Sequence, residues 1–260
     1  KYGDQLSKIA EKNKVNLEFE ASVCGGVPII RSLKESLIAN KISKIYGIFN
    51  GTSNYILSSM DKNKNFQEVL SIAKKLGYAE SNPSADLNGD DVSSKLKILS
   101  SLCFNSFLNN NIYVEGIKDI DKSDINNANK LGYKIKLLGF AELINNKIYQ
   151  RVHPTLIKKD SYVAGIDGVL NAVIVDGKPI GQSTIQGEGA GPAATTSALI
   201  SDISSILRGN IKFPFSLSSM KRKKLKFENI NERSFSAYFR FEVLDKPGVL
   251  SNITNVFSKN

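Results

Sequence analysis

The hydrophobic positions of the chain follow two periods, and each period predicts one kind of secondary structure. A repeat of three to four residues indicates an amphipathic helix, whereas strict alternation indicates a strand with one buried face. The helical period predicts helices over residues 1–13, 29–40, 51–59, 66–76, 91–102, 193–207 and 252–260. Alternation predicts strands over residues 16–23, 42–49, 132–143, 147–152, 169–176, 178–185 and 234–244. The mixture predicts an α/β chain.

Short polar and glycine-containing segments predict where these elements end. Residues 145–146 (Asn-Asn) and 176–177 (Asp-Gly) are flanked by alternating residues, which is typical of hairpin turns. Gly77 follows the fourth predicted helix at the C′ position, where glycine readily adopts a left-handed conformation. Residues 80–90 form a polar loop, and residues 209–233 form a basic, irregular linker.

The composition is that of a folded chain. Of its 260 residues, 41% are hydrophobic and 23% are charged, and such a chain buries enough apolar surface to offset its ordering entropy. No apolar run reaches the roughly 18 to 20 residues of a membrane helix. The two cysteines, Cys24 and Cys103, predict no disulfide framework, so we expect a cytoplasmic protein. Both ends read as the middle of a helix, so we expect both to be interrupted.

A net charge of +10 and a pI near 9.4 leave an anionic partner open at this point. The sharpest basic cluster, residues 221–226, has no interleaved aromatic residues and no recognisable nucleic-acid motif. We therefore interpret it as a solvated linker and expect neither a nucleic acid nor a membrane as partner. The single histidine, His153, precedes a proline at a predicted strand end, which favours a structural or surface role.

The stretch over residues 73–95 carries the most chemistry. It gathers several carboxylates in a loop and presents Lys95 on the next helix, four residues after Asp91, so that the two share one helix face. A solvated acidic loop with a surface ion pair is one interpretation, because such pairs are common. A lysine that donates a proton, beside carboxylates that bind a substrate ammonium, is the other.

The same stretch contains the pattern Ala73-x3-Gly77-Tyr78-Ala79-x2-Asn82-Pro83-x2-Asp86-Leu87-x-Gly89-x-Asp91-x3-Lys95. This pattern resembles the signature of homoserine dehydrogenases. Residues 19–30, 47–57 and 187–191 resemble further segments of that family in order and spacing, and the resemblance covers roughly residues 1–209. It implies an α+β catalytic domain with a mixed sheet, joined to the C-terminal remnants of a Rossmann-type nucleotide-binding domain.

The resemblance implies an enzyme that reversibly reduces L-aspartate 4-semialdehyde to L-homoserine with NADPH or NADH. Lys95 would donate the proton and Asp91 would position the reacting oxygen. The substrate-binding residues implied are Glu80, Asp91, Asp86, Tyr78 and Thr52. The cofactor-binding residues implied are Gly77, Gly189 and Asn50. A sodium ion or another monovalent cation would be bound at Glu20, Val23, Gly25 and Val27, mostly through backbone carbonyls.

The domain boundaries follow from the same resemblance. We expect residues 1–25 to end a nucleotide-binding domain, 26–190 to form the catalytic and dimerisation region, 191–209 to be a closing helix, 210–233 a linker and 234–260 the start of a truncated ACT domain. A homodimer or homotetramer, and threonine control through the intact ACT domain, are also implied. The glycine-rich nucleotide-binding turn is absent from the sequence, so we expect the 260 residues alone to be inactive.

One alternative from another functional class stays open. A non-catalytic, amino-acid-binding regulatory protein would explain the ACT-like tail and the carboxylates Glu80 and Asp86. It would leave Lys95 at its signature spacing unexplained.

Overall fold

The computed structural model describes residues 2–109, 112–209 and 213–258. The strands are β1 (Lys41–Ile48), β2 (Tyr113–Val114), β3 (Tyr133–Ile144), β4 (Lys147–Lys158), β5 (Leu170–Lys178), β6 (Gly181–Glu188) and β7 (Lys226–Phe227). The helices are α1 (Gly3–Asn13), α2 (Ile29–Arg31, continued by a π-helical turn over Ser32–Ser36), α3 (Gly51–Met60), α4 (Phe66–Lys75), α5 (Ser84–Asn88), α6 (Asp90–Cys103), α7 (Lys122–Lys130), α8 (Pro192–Leu207) and α9 (Val249–Phe257).

The strands form one mixed sheet in the order β2-β4-β3-β1-β5-β6, with β7 paired to β4. The pairs among β1, β3, β4, β5 and β6 are antiparallel, while β2 and β7 run parallel to β4. The strand that comes first in the chain, β1, therefore lies at the centre between β3 and β5. The predicted α/β class with a mixed sheet is confirmed.

Alternation along the central strands divides their side chains between two hydrophobic clusters. Ile45, Leu137 and Val173 point into the main core beneath α3 and α6. Their neighbours of opposite parity, such as Leu138 and Ile174, join a smaller cluster that includes Val163 and Ile166 near the 3-10 turn Tyr162–Gly165. The sheet is apolar on both faces at its centre, as is expected of a strand that packs on two sides.

The predicted strand over residues 16–23 is not formed. This segment is irregular and contains a 3-10 turn, Glu20–Ser22. Alternation makes a strand only where a neighbouring strand can accept its hydrogen bonds, and no strand among the described residues pairs with this segment. The predicted strand over residues 234–244 is irregular for the same reason, although the helix that follows it is present as α9.

The second hairpin turns at a different place from the one predicted. Asp176 and Gly177 lie within β5 and pair with Gln182 and Gly181 of β6, so the turn runs over residues 178–181. Pro179, which has no N–H to donate to a sheet ladder, lies in this turn. The first hairpin turns at residues 145–146 as predicted, with positive φ at both asparagines.

Three other boundaries differ. The predicted polar loop over residues 80–90 contains α5. The Asn82 side chain accepts hydrogen bonds from the N–H and the hydroxyl of Ser84, the first residue of this helix. The strand predicted to end at Val152 continues through Pro154 to Lys158, so His153 lies within β4. The helix predicted over residues 29–40 ends at Ser36.

Two further observations concern the whole described chain. No helix within residues 2–109, 112–209 and 213–258 is long and apolar enough to cross a membrane. Cys24 and Cys103 are both buried and both free, and burial raises the pKa of the Cys24 thiol to about 11.

Candidate active site

The segment that joins β1 to α3 is held in place by an aromatic ring. Phe49 is fully buried, and its ring lies over Gly47 and Gly139, which face each other on β1 and β3. A Cβ at Gly139 would lie 2.6 Å from this ring, and a Cβ at Gly47 would lie 2.9 Å from it. Only glycine leaves room for the ring at Gly139, while at Gly47 a Cβ would overlap the Ala172 carbonyl of β5 as well as meeting the ring. The seated ring positions the backbone carbonyl of Phe49.

That carbonyl is one of two acceptors for the ammonium of Lys95. Nζ donates to the Phe49 oxygen at 2.9 Å and lies 2.7 Å from Oδ2 of Asp91. Asp91 and Lys95 share one face of α6, as predicted, and their side chains remain 29% and 18% exposed. A lysine ammonium has three N–H donors. Within the described residues, these contacts leave one donor for a ligand.

Asn50 lies at the N-terminus of α3 and contacts two of the three carboxylates of the predicted site, Asp86 and Asp91. Its Nδ2 donates to Oδ1 of Asp86 at 2.7 Å and to Oδ2 of Asp91 at 2.8 Å. Its Oδ1 accepts the Ser53 N–H at 2.8 Å, which caps the helix. The residue is 5% exposed.

Thr52 and Tyr78 bring the glycine turn after α4 to the same place. The Thr52 hydroxyl donates to the Tyr78 carbonyl at 2.6 Å, and the Tyr78 ring packs edge-on against Tyr55 with centroids 5.1 Å apart. Tyr78 is 42% exposed, and Glu80, two residues later, is exposed in the same loop. The Thr52 bond thus ties Tyr78 to the start of α3, whereas no hydrogen bond or ion pair among the described residues joins Glu80 to Asp86, Asp91 or Lys95.

The electrostatics of the cluster are those of crowded carboxylates beside one cation. Burial raises the pKa of Asp86 above its ordinary value and the charge of Asp91 adds to this, while the hydrogen bond from Asn50, the charge of Lys95 and the nearby Thr52 hydroxyl lower it. Such a cluster can bind a ligand ammonium and can hold an ammonium proton beside a bound oxygen.

The two predicted cofactor glycines have different surroundings. Gly77 has φ +74°, and no protein atom lies within 4 Å of the place where its Cβ would be, so its backbone is open to a ligand. A Cβ on Gly189 would overlap the side chain of Asn171. Asn171 is fully buried, and its amide atoms have no hydrogen-bond partner among the described residues apart from the weakly polar thiol of Cys24.

Of the predicted cation residues, Glu20 begins the 3-10 helix Glu20–Ser22, and Val23, Gly25 and Val27 lie in the turn between this helix and α2. The Glu20 carboxylate accepts the backbone N–H groups of Ile30 at 2.8 Å and Arg31 at 2.7 Å, so its side chain caps α2. Val23, Gly25 and Val27 are buried. The described residues contain no cluster of three His, Cys, Asp or Glu side chains that could hold a metal, so a cation here would depend on backbone carbonyls.

Two contributors to the site carry little signal in the sequence. The Phe49 oxygen is a backbone atom, and its place depends on glycines that meet only when β1 and β3 pair. Asn171 is the polar exception in the apolar run Val169-Leu170-Asn171-Ala172-Val173, and this exception is the signal that could have identified it.

Comparison with known proteins shows the family of the chain. A family model described as homoserine dehydrogenase matches residues 28–204. The chain belongs to the homoserine dehydrogenase family. The matched region includes the whole Ala73–Lys95 pattern, which favours the enzyme over the non-catalytic regulatory protein.

Individual homoserine dehydrogenases agree with the family match. The protein of Helicobacter pylori is 44% identical over 98% of this chain and 60% of its own length. The crystal structure of one from Thiobacillus denitrificans matches with a TM-score of 0.88 at 36% identity, covering 99% of this chain and 62% of that one. A hyperthermophilic archaeal homoserine dehydrogenase mutant in complex with NADPH matches with a TM-score of 0.68 at 27% identity, covering 80% of this chain and 60% of that one.

The match has a defined extent. The chain spans about three fifths of the length of the curated homoserine dehydrogenases that it matches.

Proposed function

We propose that this chain carries the substrate-binding and proton-donating part of a homoserine dehydrogenase, which reduces L-aspartate 4-semialdehyde to L-homoserine with NADPH or NADH. The observation that carries the proposal is the placement of Lys95. Its ammonium is held by Asp91 and the Phe49 carbonyl, with one N–H left over, beside a second carboxylate and an open loop. Family membership supplies the substrate class, and this placement supplies a chemical role.

In the proposed reaction Lys95 donates the proton. The nicotinamide, when bound, supplies a hydride to the aldehyde carbon, and negative charge develops on the aldehyde oxygen. The third N–H of Lys95 would donate to that oxygen and then transfer its proton, which completes the alcohol. Asp91 holds the ammonium in place until transfer, because its Oδ2 lies 2.7 Å from Nζ.

The acidic loop would bind the other end of the substrate. We propose that Glu80 and Asp86 bind the α-ammonium, with Tyr78 and Thr52 shaping the wall beside them. The exposure of Glu80 and Tyr78 supports this assignment, because these groups can be reached from solvent while Lys95 and Asp91 lie deeper. Orientation by several fixed groups is the main way such a site accelerates a bimolecular step.

The residues fit a nicotinamide cofactor at two places. Gly77 offers an unobstructed backbone, and the buried amide of Asn171 beside Gly189, which has only the weakly polar Cys24 thiol as partner, could accept a polar ligand group. Asn50 fits less well as a direct cofactor ligand, since its amide is already engaged. The relative solved with NADPH supports the choice of cofactor class.

The finer predictions belong to the same proposal. A monovalent cation such as sodium would be held by backbone carbonyls of Glu20, Val23, Gly25 and Val27, because the Glu20 carboxylate is used by α2. The exposed apolar side chains of α8, among them Ile200 and Ile203, support its packing on a nucleotide-binding domain. We also propose a homodimer or homotetramer, control by threonine through an ACT domain, and a cytoplasmic setting.

Replacement of Lys95 tests the proposal. In the full-length enzyme we expect Lys95→Ala to lower kcat for aspartate semialdehyde by about two orders of magnitude, the scale of a lost general acid, with a modest change in KM. Lys8→Ala is the matched control, because Lys8 forms an i,i+4 ion pair with Asp4 on α1 at 2.6 Å. A Lys95→Ala enzyme with near-normal kcat would refute the assignment.

A further inference from the structure

The amide of Asn50 occupies an unusual position in the cluster. One nitrogen donates to two different carboxylates, at 2.7 Å to Asp86 and at 2.8 Å to Asp91. The Asp91 oxygen that it contacts, Oδ2, is the same oxygen that lies 2.7 Å from Nζ of Lys95. Asn50 therefore reaches the lysine through one intervening atom.

We propose that Asn50 is a positioning residue that holds Asp86 and Asp91 at their present separation and, through Asp91, fixes the ammonium of Lys95. The proposal rests on the proposed function, since positioning is meant with respect to proton donation by Lys95. It differs from the sequence-based expectation, in which Asn50 contacts the cofactor.

The hydrogen-bonding capacity of the side chain supports this role. An asparagine has two N–H donors and an acceptor oxygen. Here each N–H serves one carboxylate, and the oxygen caps α3 at Ser53. With 5% of its surface exposed, Asn50 has neither a donor nor an open surface left for a cofactor.

The charge arrangement explains why an amide suits this position. Asp86 and Asp91 would repel each other across the gap that Asn50 fills, and two N–H donors pointing apart offset part of this repulsion. A carboxylate at position 50 would keep the cap but place a third negative group between the other two.

The junction between β1 and α3 holds both members of the ion pair. The Phe49 carbonyl accepts from Lys95, and the next side chain, Asn50, donates to Asp91. Two consecutive residues thus fix the two ends of an i,i+4 pair on α6. The lysine cannot follow a moving carboxylate without losing the backbone acceptor.

Loss of the amide also has a consequence for pH dependence. The groups that face Asp86 are Asn50 and Thr52 on the α3 side and Asp91 and Lys95 on α6; burial and Asp91 raise the pKa of Asp86, while Asn50, Lys95 and Thr52 lower it. Without the amide, the pKa of Asp86 rises further. The acid limb of the pH profile of kcat/KM then moves to higher pH, because the ammonium-binding carboxylate becomes protonated at a higher pH.

Two substitutions in the full-length enzyme separate positioning from helix capping. Asn50→Ser keeps a good cap but removes both amide donors, and we expect kcat/KM to fall about tenfold or more, the scale of lost hydrogen bonds to charged groups. Asn50→Asp keeps the cap and the shape, and we expect a larger loss. Both variants should show an acid limb displaced to higher pH.

A matched control uses a bond of the same kind elsewhere. Asn129 donates through Nδ2 to the Asp61 carboxylate at 2.7 Å, so Asn129→Ser removes an equivalent bond away from the cluster and should leave kcat/KM and the pH profile unchanged. An Asn50→Ser enzyme with the wild-type acid limb and kcat/KM would overturn the proposal.

A crystal structure of Asn50→Ser supplies a readout that does not depend on activity. We expect the Asp91 carboxylate to leave its contact with Lys95, and an unchanged Asp91–Lys95 contact would count against positioning. If the wild-type enzyme fails to reduce aspartate semialdehyde, the proposed function fails, whereas the structural comparison still decides whether Asn50 holds the pair.

Discussion

Two lysines of this chain form ion pairs in very different surroundings. Lys95 keeps 18% of its side-chain surface exposed and uses two acceptors, Asp91 and the Phe49 carbonyl. Lys136, on β3, keeps 1% exposed and has four acceptors within reach, at distances from 2.6 to 3.3 Å. These acceptors are Oδ1 of Asn54, Oγ of Ser58, the carbonyl of Ile166 and Oδ1 of Asp167.

The two lysines differ in how many of their ammonium N–H groups have an acceptor. Every N–H of Lys136 has an acceptor, and a buried charge with a full set of partners is a structural device that is costly to disturb. Burial lowers the pKa of Lys136, and the Asp167 carboxylate opposes this. Lys95 is held by fewer bonds and has a donor to spare. The lysine suited to chemistry is therefore the one whose ammonium is held in place while one of its N–H groups still lacks an acceptor.

The largest expected effect is on folding, at the saturated lysine. We expect Lys136→Ala to lower the free energy of unfolding by about 3 kcal/mol, because it leaves buried polar partners without their cation. Lys134→Ala is the control, since Lys134 pairs with the same Asp167 but is 22% exposed, and it should cost less than about 1 kcal/mol. If urea denaturation gives the two variants equal losses of unfolding free energy, Lys136 is no more important to the fold than an exposed lysine and the comparison fails.

The next effect concerns the support beneath Lys95. A Cβ at Gly139 would lie 2.6 Å from the Phe49 ring, so we expect Gly139→Ala to cost about 2 kcal/mol of stability, as overpacking does, and to lower kcat because the Phe49 carbonyl moves. Gly165→Ala meets no atom within 4 Å and serves as the control. A destabilised Gly139→Ala enzyme with wild-type kcat would show that the lysine does not depend on this ring.

The smallest expected effect is the pH dependence of the stability that the Lys136–Asp167 ion pair contributes. Burial alone would raise the pKa of Asp167, but bonds to Lys136 and Lys134 lower it on balance from 3.8. A carboxylate with a lowered pKa stabilises the fold above its ordinary pKa and loses this contribution as pH falls through the lowered value. The difference in unfolding free energy between wild type and Asp167→Asn should therefore be constant near neutral pH and shrink below pH 3.8. A constant difference down to pH 2 would contradict the assignment.

Much of the fold could be predicted because the local signals were strong. The Asn145-Asn146 turn, the strand that became β1 and the helix that became α6 follow directly from period and turn chemistry. The placement of Asp91 and Lys95 on one helix face followed from their spacing alone.

The remaining features depend on partners distant in the chain. Whether residues 16–23 form a strand depends on a neighbouring strand, which alternation cannot supply. The hairpin of β5 and β6 contains two segments that could form its turn, residues 176–177 and residues 178–181. The turn forms at the later segment, and β5 pairs with β1 over residues 172–178. The acceptor for Lys95 is a backbone oxygen fixed by Gly47 and Gly139, which are 92 positions apart in the sequence, so no local pattern reveals it.

The central place of β1 sets the order in which the molecule can assemble. Residues 41–48 find their partners only at residues 139–142 on one side and 172–178 on the other. A chain emerging from the ribosome must therefore keep β1 unpaired until β3, which begins more than 80 positions after β1 ends, has been made. Long-range pairing of this kind slows folding and exposes strand edges to other chains in the meantime. The end of β1, where Phe49 meets Lys95, is thus completed only after β3 and β5 have been made.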